Sequence, residues 1–365
     1  MRKMQITIMG GGHGARTVAA DMTLAGHMVN LFEFEYFHEN IKEIFESGKI
    51  EISGKARQDT AEIKNCTHNI SEAIADSELI MIVVPAFVHR IYAKALAPYL
   101  KDGMNIVLVP GTFGSLEFYT SIRDYGSKAD ITISEFDTLP YATRIQTKTS
   151  VHVFHNLTSF GAGVFPSSQT GKIINIIKNL YPGIFSYRNI LEAGLSNCNP
   201  VIHPLGVLMN AGRIEYSHGE FWYYEEGITA STARAMEILD DERIAIGEAL
   251  GLDLPRQSEV LHSVGYGPKG DLWEVLKGSK GLTSIKGPAA LSNRYVTEDI
   301  PIGLVCWSQL GEMLGVETPV MRATIELGIA VSGINYWETG RTLKRCGISG
   351  MTGKHLCEYV KTGKK

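Results

Sequence analysis

Three side chains in this sequence have types and spacings suited to chemistry on a small charged molecule: His203, Arg294 and Asp299. Arg294 and Asp299 lie five positions apart in "SNRYVTEDIPIGLV", just before an apolar run that reads as core. An arginine clamps a carboxylate through two parallel hydrogen bonds, supplying charge and orientation together. A carboxylate beside an imidazole fixes its tautomer and favours its protonated form. His203 stands in "NCNPVIHPLGVLMNAGRIE", bracketed by Pro200 and Pro204 where a helix is expected to begin. Histidine titrates in the range that proton transfer near neutrality needs. Spacing alone leaves a second arrangement open, in which Arg294 and Asp299 pair with each other and His203 satisfies a helix end.

The elements that must position these residues begin at the N-terminus, in "QITIMGGGHGARTVAADMTLAGHMVNLFEF". "ITIM" reads as a short buried strand, "ARTVAADMTLAG" as an amphipathic helix and "MVNLFE" as a second strand ending at Glu33. Between strand and helix, Gly10, Gly12 and Ala15 fall at the G-x-G-x-x-A spacing of a dinucleotide-binding turn. Gly10 permits the tight turn, Gly12 lets a pyrophosphate approach the backbone, and Ala15 lets helix and strand pack closely. Gly11, His13 and Gly14 complete the turn. His13 either touches phosphate or caps the helix. The helix start offers unpaired N–H groups and a positive dipole end to phosphates. Glu33 accepts ribose hydroxyls and repels a 2′-phosphate, and its neighbours offer no arginine to receive one, so the cofactor expected is NAD (NADH) rather than NADP.

Two further strand-and-loop units follow: "LIMIVVP", ending at Val84 and Pro85, and "MNIVLVP", running into "PGTFG". Buried strands alternating with helices indicate a doubly wound parallel sheet, whose ligand edge lies at the carboxyl ends of the strands. Val84 and Pro85 therefore join the expected cofactor-binding residues, whereas His89, on the next helix, is expected at the surface. From about residue 190 the pattern turns helical, in "STARAMEILDDERIAIGEALGL" with acids early and a glycine stop, in "PIGLVCWSQLGEMLG" and in "TPVMRATIELGIAVSGINYW". The expected fold class is an α/β N-terminal Rossmann-type domain, residues 1–190, with a doubly wound parallel sheet. A mainly α-helical domain follows over residues 191–365.

Composition narrows the function classes. A hydrophobic content of 44% with 20% charged residues is that of ordinary globular chains. The formal net charge of -4 argues against a nucleic-acid partner. No apolar run is long enough for a membrane partner. Five scattered cysteines without a C-x-x-C suggest neither a disulfide framework nor a metal site, and fit a reducing cytoplasm.

With these motifs in place, the sequence resembles the octopine/nopaline (opine) dehydrogenase family over nearly its whole length. The likeness runs through "GGGHGA", "VVPAF", "PGTFGSLEF", "SEFDTLPYATRI", "NPVIHPLGVLMNAGRIE", "YYEEGIT", "DDERIAIGEALGL", "GPAALSNRYVTEDIPIGLV" and "GRTLKRCGISGMTG". The resemblance implies NAD(P)H-dependent reductive condensation of a 2-oxo acid, usually pyruvate, with the amino group of an amino acid. It implies that His203 transfers protons, Asp299 supports it, Arg294 holds a substrate carboxylate and Thr138 lines the substrate cleft. The expected partners are those two small molecules, with a homodimer left open. His13 stands where the family commonly has asparagine, and Thr143 where it often has cysteine, so thiol sensitivity at that position should be absent. "EFWYYEEG" is open between a pocket wall and a solvated helix face. Two other readings remain: a two-domain dehydrogenase for a hydroxy acid or polyol phosphate, and a non-catalytic NAD-binding sensor.

Overall fold

The computed structural model describes residues 2–365, which divide into two compact units: 2–194 with 358–365, and 195–357. The first unit is built on twelve strands: β1 (Gln5–Met9), β2 (Met28–Phe32), β3 (Lys49–Gly54), β4 (Asp59–Glu62), β5 (Asn65–Thr67) and β6 (Leu79–Ile82). They continue with β7 (Asn105–Leu108), β8 (Thr132–Phe136), β9 (Tyr141–Ile145), β10 (Ser150–Asn156), β11 (Phe160–Phe165) and β12 (Ile184–Ser186). Eight of them form one sheet in the order β12-β11-β8-β7-β6-β1-β2-β5. Side chains alternate cleanly across it. Ile6, Ile8, Val29, Leu31, Leu79, Met81 and Val107 enter one core, while Met9, Phe32, Ile80, Ile82, Ile106 and Leu108 enter the other. Both faces being covered is why these strands read as unbroken apolar runs.

The sheet is doubly wound as expected. β1 has β2 on one side and β6 on the other, both parallel, so the strand order reverses between β1 and β6. A crevice opens outside the carboxyl ends of strands at such a reversal. Here those ends are the Gly10–Gly12 turn and Val83–Pro85. Gly10 has φ +120°, and a Cβ there would lie 2.7 Å from the Val83 carbonyl oxygen and 2.8 Å from Val84 Cγ1. Only glycine lets the two loops touch in this way.

The sheet departs from all-parallel at β11, which runs antiparallel to β8. A second sheet, β4-β3-β10-β9, was not foreseen. It joins segments about ninety residues apart in sequence, in short strands with exposed charged positions. This sheet braces the helix His13–Leu24. Tyr141 donates to Asp21 at 2.8 Å, and the Thr143 and Thr17 hydroxyls meet at 2.8 Å.

Residues 358–365, expected with the helical domain, group instead with the first unit. The buried Tyr359 ring packs on Phe165 with centroids 5.2 Å apart, which gives the tail an apolar anchor there. His89 is also corrected. It is fully buried, and a Cβ on Gly114 would come within 2.6 Å of its Nδ1.

The second unit is helical, and its longest helix is Ala230–Ala249. The acids expected early in this helix are absent from its first turn, which Thr229 caps with its hydroxyl. Asp240, Glu242 and Arg243 lie in its interior and are buried. Arg243 donates to Asp240 at 2.7 Å and to the carbonyls of Leu195 and Pro255. Glu242 accepts the backbone N–H groups of Val320 and Met321, at the start of the helix Pro319–Ser332. A carboxylate there also meets the positive end of the helix dipole. No helix among the described residues is long and apolar enough to cross a membrane.

Gly10→Ala adds a Cβ where backbone sterics and the Val83 carbonyl both forbid it. Strain of this kind costs about 1–3 kcal/mol, so chemical denaturation should show a loss of roughly that size or more. An unchanged unfolding midpoint would mean that the two loops are not held together as described.

Candidate functional site

The glycine turn opens on a cleft of about 660 Å³ lined by Gly11, Gly12, His13, Arg16, Glu33, Phe37 and Ile41, with residues 145–148 opposite. Gly12 caps the helix His13–Leu24, and a Cβ on it would meet nothing within 4 Å, so this backbone is open to a ligand's approach. Ala15 is fully buried, and a Cβ on Gly10 would lie 3.3 Å from its own Cβ, a packing only small residues allow. Gly14 is similarly confined by Leu139 and Val83, each at 3.1 Å from a would-be Cβ.

Glu33 follows β2 directly and is almost buried. It accepts the Phe34 N–H at 2.8 Å and the Tyr92 hydroxyl at 3.2 Å. Burial raises its pKa, and the hydrogen bonds from Phe34 and Tyr92 work the other way. Arg16 lines the same cleft, yet its guanidinium is committed to three carbonyls: Gly11 and Lys148, each at 2.8 Å, and Asn40. The arginine that shares this cleft with Glu33 is thus a scaffold for the turn. His13 accepts the Ile145 N–H at Nδ1, 2.8 Å away, so its proton resides on Nε2. Burial first, then Arg144 and Arg16, lower its pKa and favour the neutral ring. Val84 and Pro85 leave β6 on the far side of Gly10, half-buried and exposed respectively. These features suit a dinucleotide: open backbone at a helix start, a carboxylate one strand away, and room along both.

Thr138 lies in the loop after β8, half-buried. Beside it Asp137 accepts the Gly161 N–H at 2.9 Å and the Tyr187 hydroxyl at 2.7 Å. Burial pushes the Asp137 carboxyl up to about 6, against the pull of those hydrogen bonds. Sequence reasoning missed Glu135. This fully buried residue accepts the backbone N–H groups of Phe113 and Ser115 and the Ser115 hydroxyl, at 2.9, 2.8 and 2.6 Å. It thereby holds the "PGTFG" loop, in which Thr112 and Phe113 adopt left-handed backbone. A glutamate inside the strand "TISEF" carries no signal of this by itself.

In the second unit, His203 joins two short helices, Asn199–Ile202 and Pro204–Leu208, with Pro204 at the start of the second. Its ring caps neither. Nδ1 lies 2.8 Å from Asp299 Oδ2, and Nε2 lies 3.2 Å from the Tyr224 hydroxyl. Tyr295 stacks on the ring, with centroids 3.8 Å apart and planes 14° apart. The Tyr223 hydroxyl donates to the His203 carbonyl at 2.8 Å. Asp299 opens a π-helical turn, Asp299–Leu304, and the following Gly303 approaches Pro200 so closely that a Cβ would lie 2.4 Å from the proline ring. That contact brings the two segments together.

Both members of the pair are 11% exposed. Burial raises the Asp299 pKa, while the hydrogen bond and charge of His203 oppose the rise. Arg294 does not pair with Asp299. It starts the short helix Arg294–Thr297 and its Nε binds Glu298, with its own side chain 65% exposed and that of Glu298 only 6%. Burial costs its charge something, and Glu298 and Asp299 more than restore it, so its pKa is raised. The acidic residues of "EFWYYEEG" are engaged elsewhere: Glu220 with Lys286 and Glu225 with Lys277, each at 2.6 Å, and Glu226 with Arg213. Tyr223 and Tyr224 point inward and are buried. The structure thus joins His203 with Asp299 and keeps Arg294 one helical turn before it, while the glycine turn and Thr138 belong to the first unit.

Residues 186–332 match the family described as NAD/NADP octopine/nopaline dehydrogenase, alpha-helical domain. An opine dehydrogenase of Arthrobacter sp. (strain 1C) is 34% identical over 355 residues, covering 97% of this chain and 98% of its own. A vitopine synthase of Allorhizobium ampelinum is 26% identical, covering 95% of this chain and 96% of its own. An octopine dehydrogenase solved with NADH and L-arginine superposes with a TM-score of 0.80 at 22% identity, covering 100% of this chain and 99% of its own. The same enzyme has been solved with NADH and pyruvate.

Asp137 offers a test of the loop beside Thr138. Its folded pKa is raised, so its contribution to stability is full below about pH 4 and is lost as pH rises through about 6. Relative to Asp137→Asn, the wild type should lose about 3 kcal/mol of unfolding free energy across that window. Parallel pH curves for the two proteins would show the carboxyl to be unperturbed.

Proposed function

Because this chain belongs to the octopine/nopaline dehydrogenase family, whose members are NAD(P)-dependent oxidoreductases acting on CH–NH donors, we propose that it condenses a 2-oxo acid reductively with the amino group of an amino acid. Pyruvate is the oxo acid proposed, and NADH the cofactor. The observation that carries this reading is the buried His203–Asp299 hydrogen bond, with the Arg294 guanidinium on the same short stretch of chain.

The chemistry divides into two stages. Condensation of the carbonyl with the amine expels water and leaves a C=N bond. Reduction then places a hydride on carbon, and the nitrogen ends as a secondary amine. NADH, when bound, supplies the hydride. The residues that would hold it are Gly10, Gly11, Gly12, His13, Gly14 and Ala15 at the diphosphate, Glu33 at the ribose, and Val84 and Pro85 across the turn. Glu33 disfavours a 2′-phosphate because both are anionic, and the arginine beside it is occupied by carbonyls.

His203 controls the protons. Asp299 accepts from Nδ1, which leaves Nε2 as the atom that gives or takes a proton, and the same ring serves the oxidative direction with its role reversed. The carboxylate holds the ring in the tautomer with its proton on Nδ1. Arg294 retains two Nη groups that make no hydrogen bond to protein among the described residues. These suit a carboxylate approached side by side. Thr138 is assigned to the substrate as a neutral hydroxyl partner.

The proposal is tested by following NADH oxidation with pyruvate while amino acids are supplied one at a time. Oxidation that needs both substrates is expected. Oxidation with the oxo acid alone would mean a hydroxy-acid dehydrogenase, and silence across the panel would mean a protein that binds the dinucleotide without turnover. His203→Ala and Asp299→Ala should each lower kcat by about 10²–10⁴-fold. Arg294→Ala should chiefly raise KM for the oxo acid, by about 10–100-fold for a lost charge-assisted pair. Near-normal kinetics in these variants would remove the residues from the site.

A further inference from the structure

We propose that Tyr224 is a positioning residue for His203, its hydroxyl donating to Nε2 when the ring is neutral and accepting from Nε2–H when the ring is protonated. The proposal rests on the proton-transfer role given to His203 above, and extends it to a residue outside that pair.

The geometry is that of a three-member chain. Asp299 Oδ2 lies 2.8 Å from Nδ1, and the Tyr224 oxygen lies 3.2 Å from Nε2, so both ring nitrogens have a partner. With Asp299 accepting, Nδ1 carries a proton in both states, and the state changes only at Nε2. Before substrate meets Nε2, a buried imidazole that gains or loses a proton there would leave a lone pair or an N–H unpaired in one state or the other, a loss comparable to a hydrogen bond. A hydroxyl is the one common side-chain group that serves both states by turning about its C–O bond.

Tyr224 is suited to this and to little else. It is buried, and among the described residues His203 Nε2 is the only hydrogen-bond partner of its hydroxyl. It opens toward the ring from the π-helical turn Tyr223–Gly227, while Tyr295 fills the ring face. Burial first, then Tyr295, Tyr223, Cys198 and Tyr266, hold the phenol well above its usual range, so it remains a hydroxyl throughout. The other titratable or charged groups around the histidine are Asp299 on its Nδ1 side, Arg294 and Glu298 beyond Asp299, and the Tyr223 hydroxyl on its backbone carbonyl. Among the described residues, Tyr224 is the group that reaches Nε2.

Removing the hydroxyl penalises the imidazolium more than the neutral ring, because a hydrogen bond from a charged donor is roughly twice as strong. Tyr224→Phe keeps the ring and should therefore shift the titration of the His203 ring to lower pH, by about half to one pH unit. The measurement is NMR of the full chain labelled at histidine Cε1, with His203 identified by the signal missing in His203→Asn. The alkaline limb of the pH–rate profile for synthesis should move in the same direction by the same amount. An unchanged or higher titration midpoint in Tyr224→Phe would overturn the proposal. Should that variant fail to fold, 3,5-difluorotyrosine at position 224 preserves the shape and weakens the oxygen as an acceptor. It should also shift the midpoint downward, and no shift would overturn the proposal equally. The titration needs no turnover, so wild-type protein that makes no opine would sink the functional reading while leaving the tyrosine–histidine coupling measurable.

Discussion

The hydrogen bond from His203 to Asp299 spans 96 positions of sequence, and much of the helical unit serves to close that distance. Neither residue sits in a long helix. His203 links two short ones and Asp299 opens a π-helical turn, a wider geometry that recurs at functional sites. What holds them is backbone contact: Gly303 against Pro200, and the Tyr223 hydroxyl on the His203 carbonyl. An imidazole anchored by its own main chain, its ring face and Nδ1 has little freedom left. Those constraints set Nε2 against the Tyr224 hydroxyl.

Elsewhere several buried charges are consumed largely by backbone. Arg16 is spent on three carbonyls, Arg243 on Asp240 and two carbonyls, Glu135 on two N–H groups and a hydroxyl, and Glu242 on the start of a helix. An ion left unpaired in such positions would be strongly destabilising. These groups therefore act as braces for loops that lack regular hydrogen bonding. Arg294 differs from them in kind, being mostly exposed and tied to one carboxylate through Nε alone.

The large sheet was legible because its physics is local. Buried parallel strands show as apolar runs, the tight turn after β1 demands glycine, and an acid closes β2 at Glu33. The small sheet was not, because its pairings β3–β10 and β9–β10 depend on where the first sheet has already placed the chain. His89 misled for a related reason: on a single helix it reads as polar surface, and only the packing of Gly114 against it shows that it is interior. The pairing of His203 with Asp299 was readable from residue type and resemblance. Tyr224 was not, since one aromatic among "FWYY" cannot be distinguished from its neighbours until the turn aims it.

In the proposed reading, the contrast between the buried pair and the exposed arginine lets one site serve two demands. A group that moves a proton must be shielded so that its partners, not water, decide its charge. A group that captures an anion must be reachable from solvent. Glu298 keeps the arginine's charge balanced before any ligand arrives, and Glu298 is itself held almost out of water. In the proposed reading, a substrate carboxylate meeting the Nη groups would add a second anion to a cation already stabilised, so affinity would come from geometry as much as from net charge. Asp299 sits next in sequence to Glu298, and the acid nearest the histidine is thus separated from the arginine by another acid that has already claimed it. That ordering is what leaves Asp299 to the imidazole.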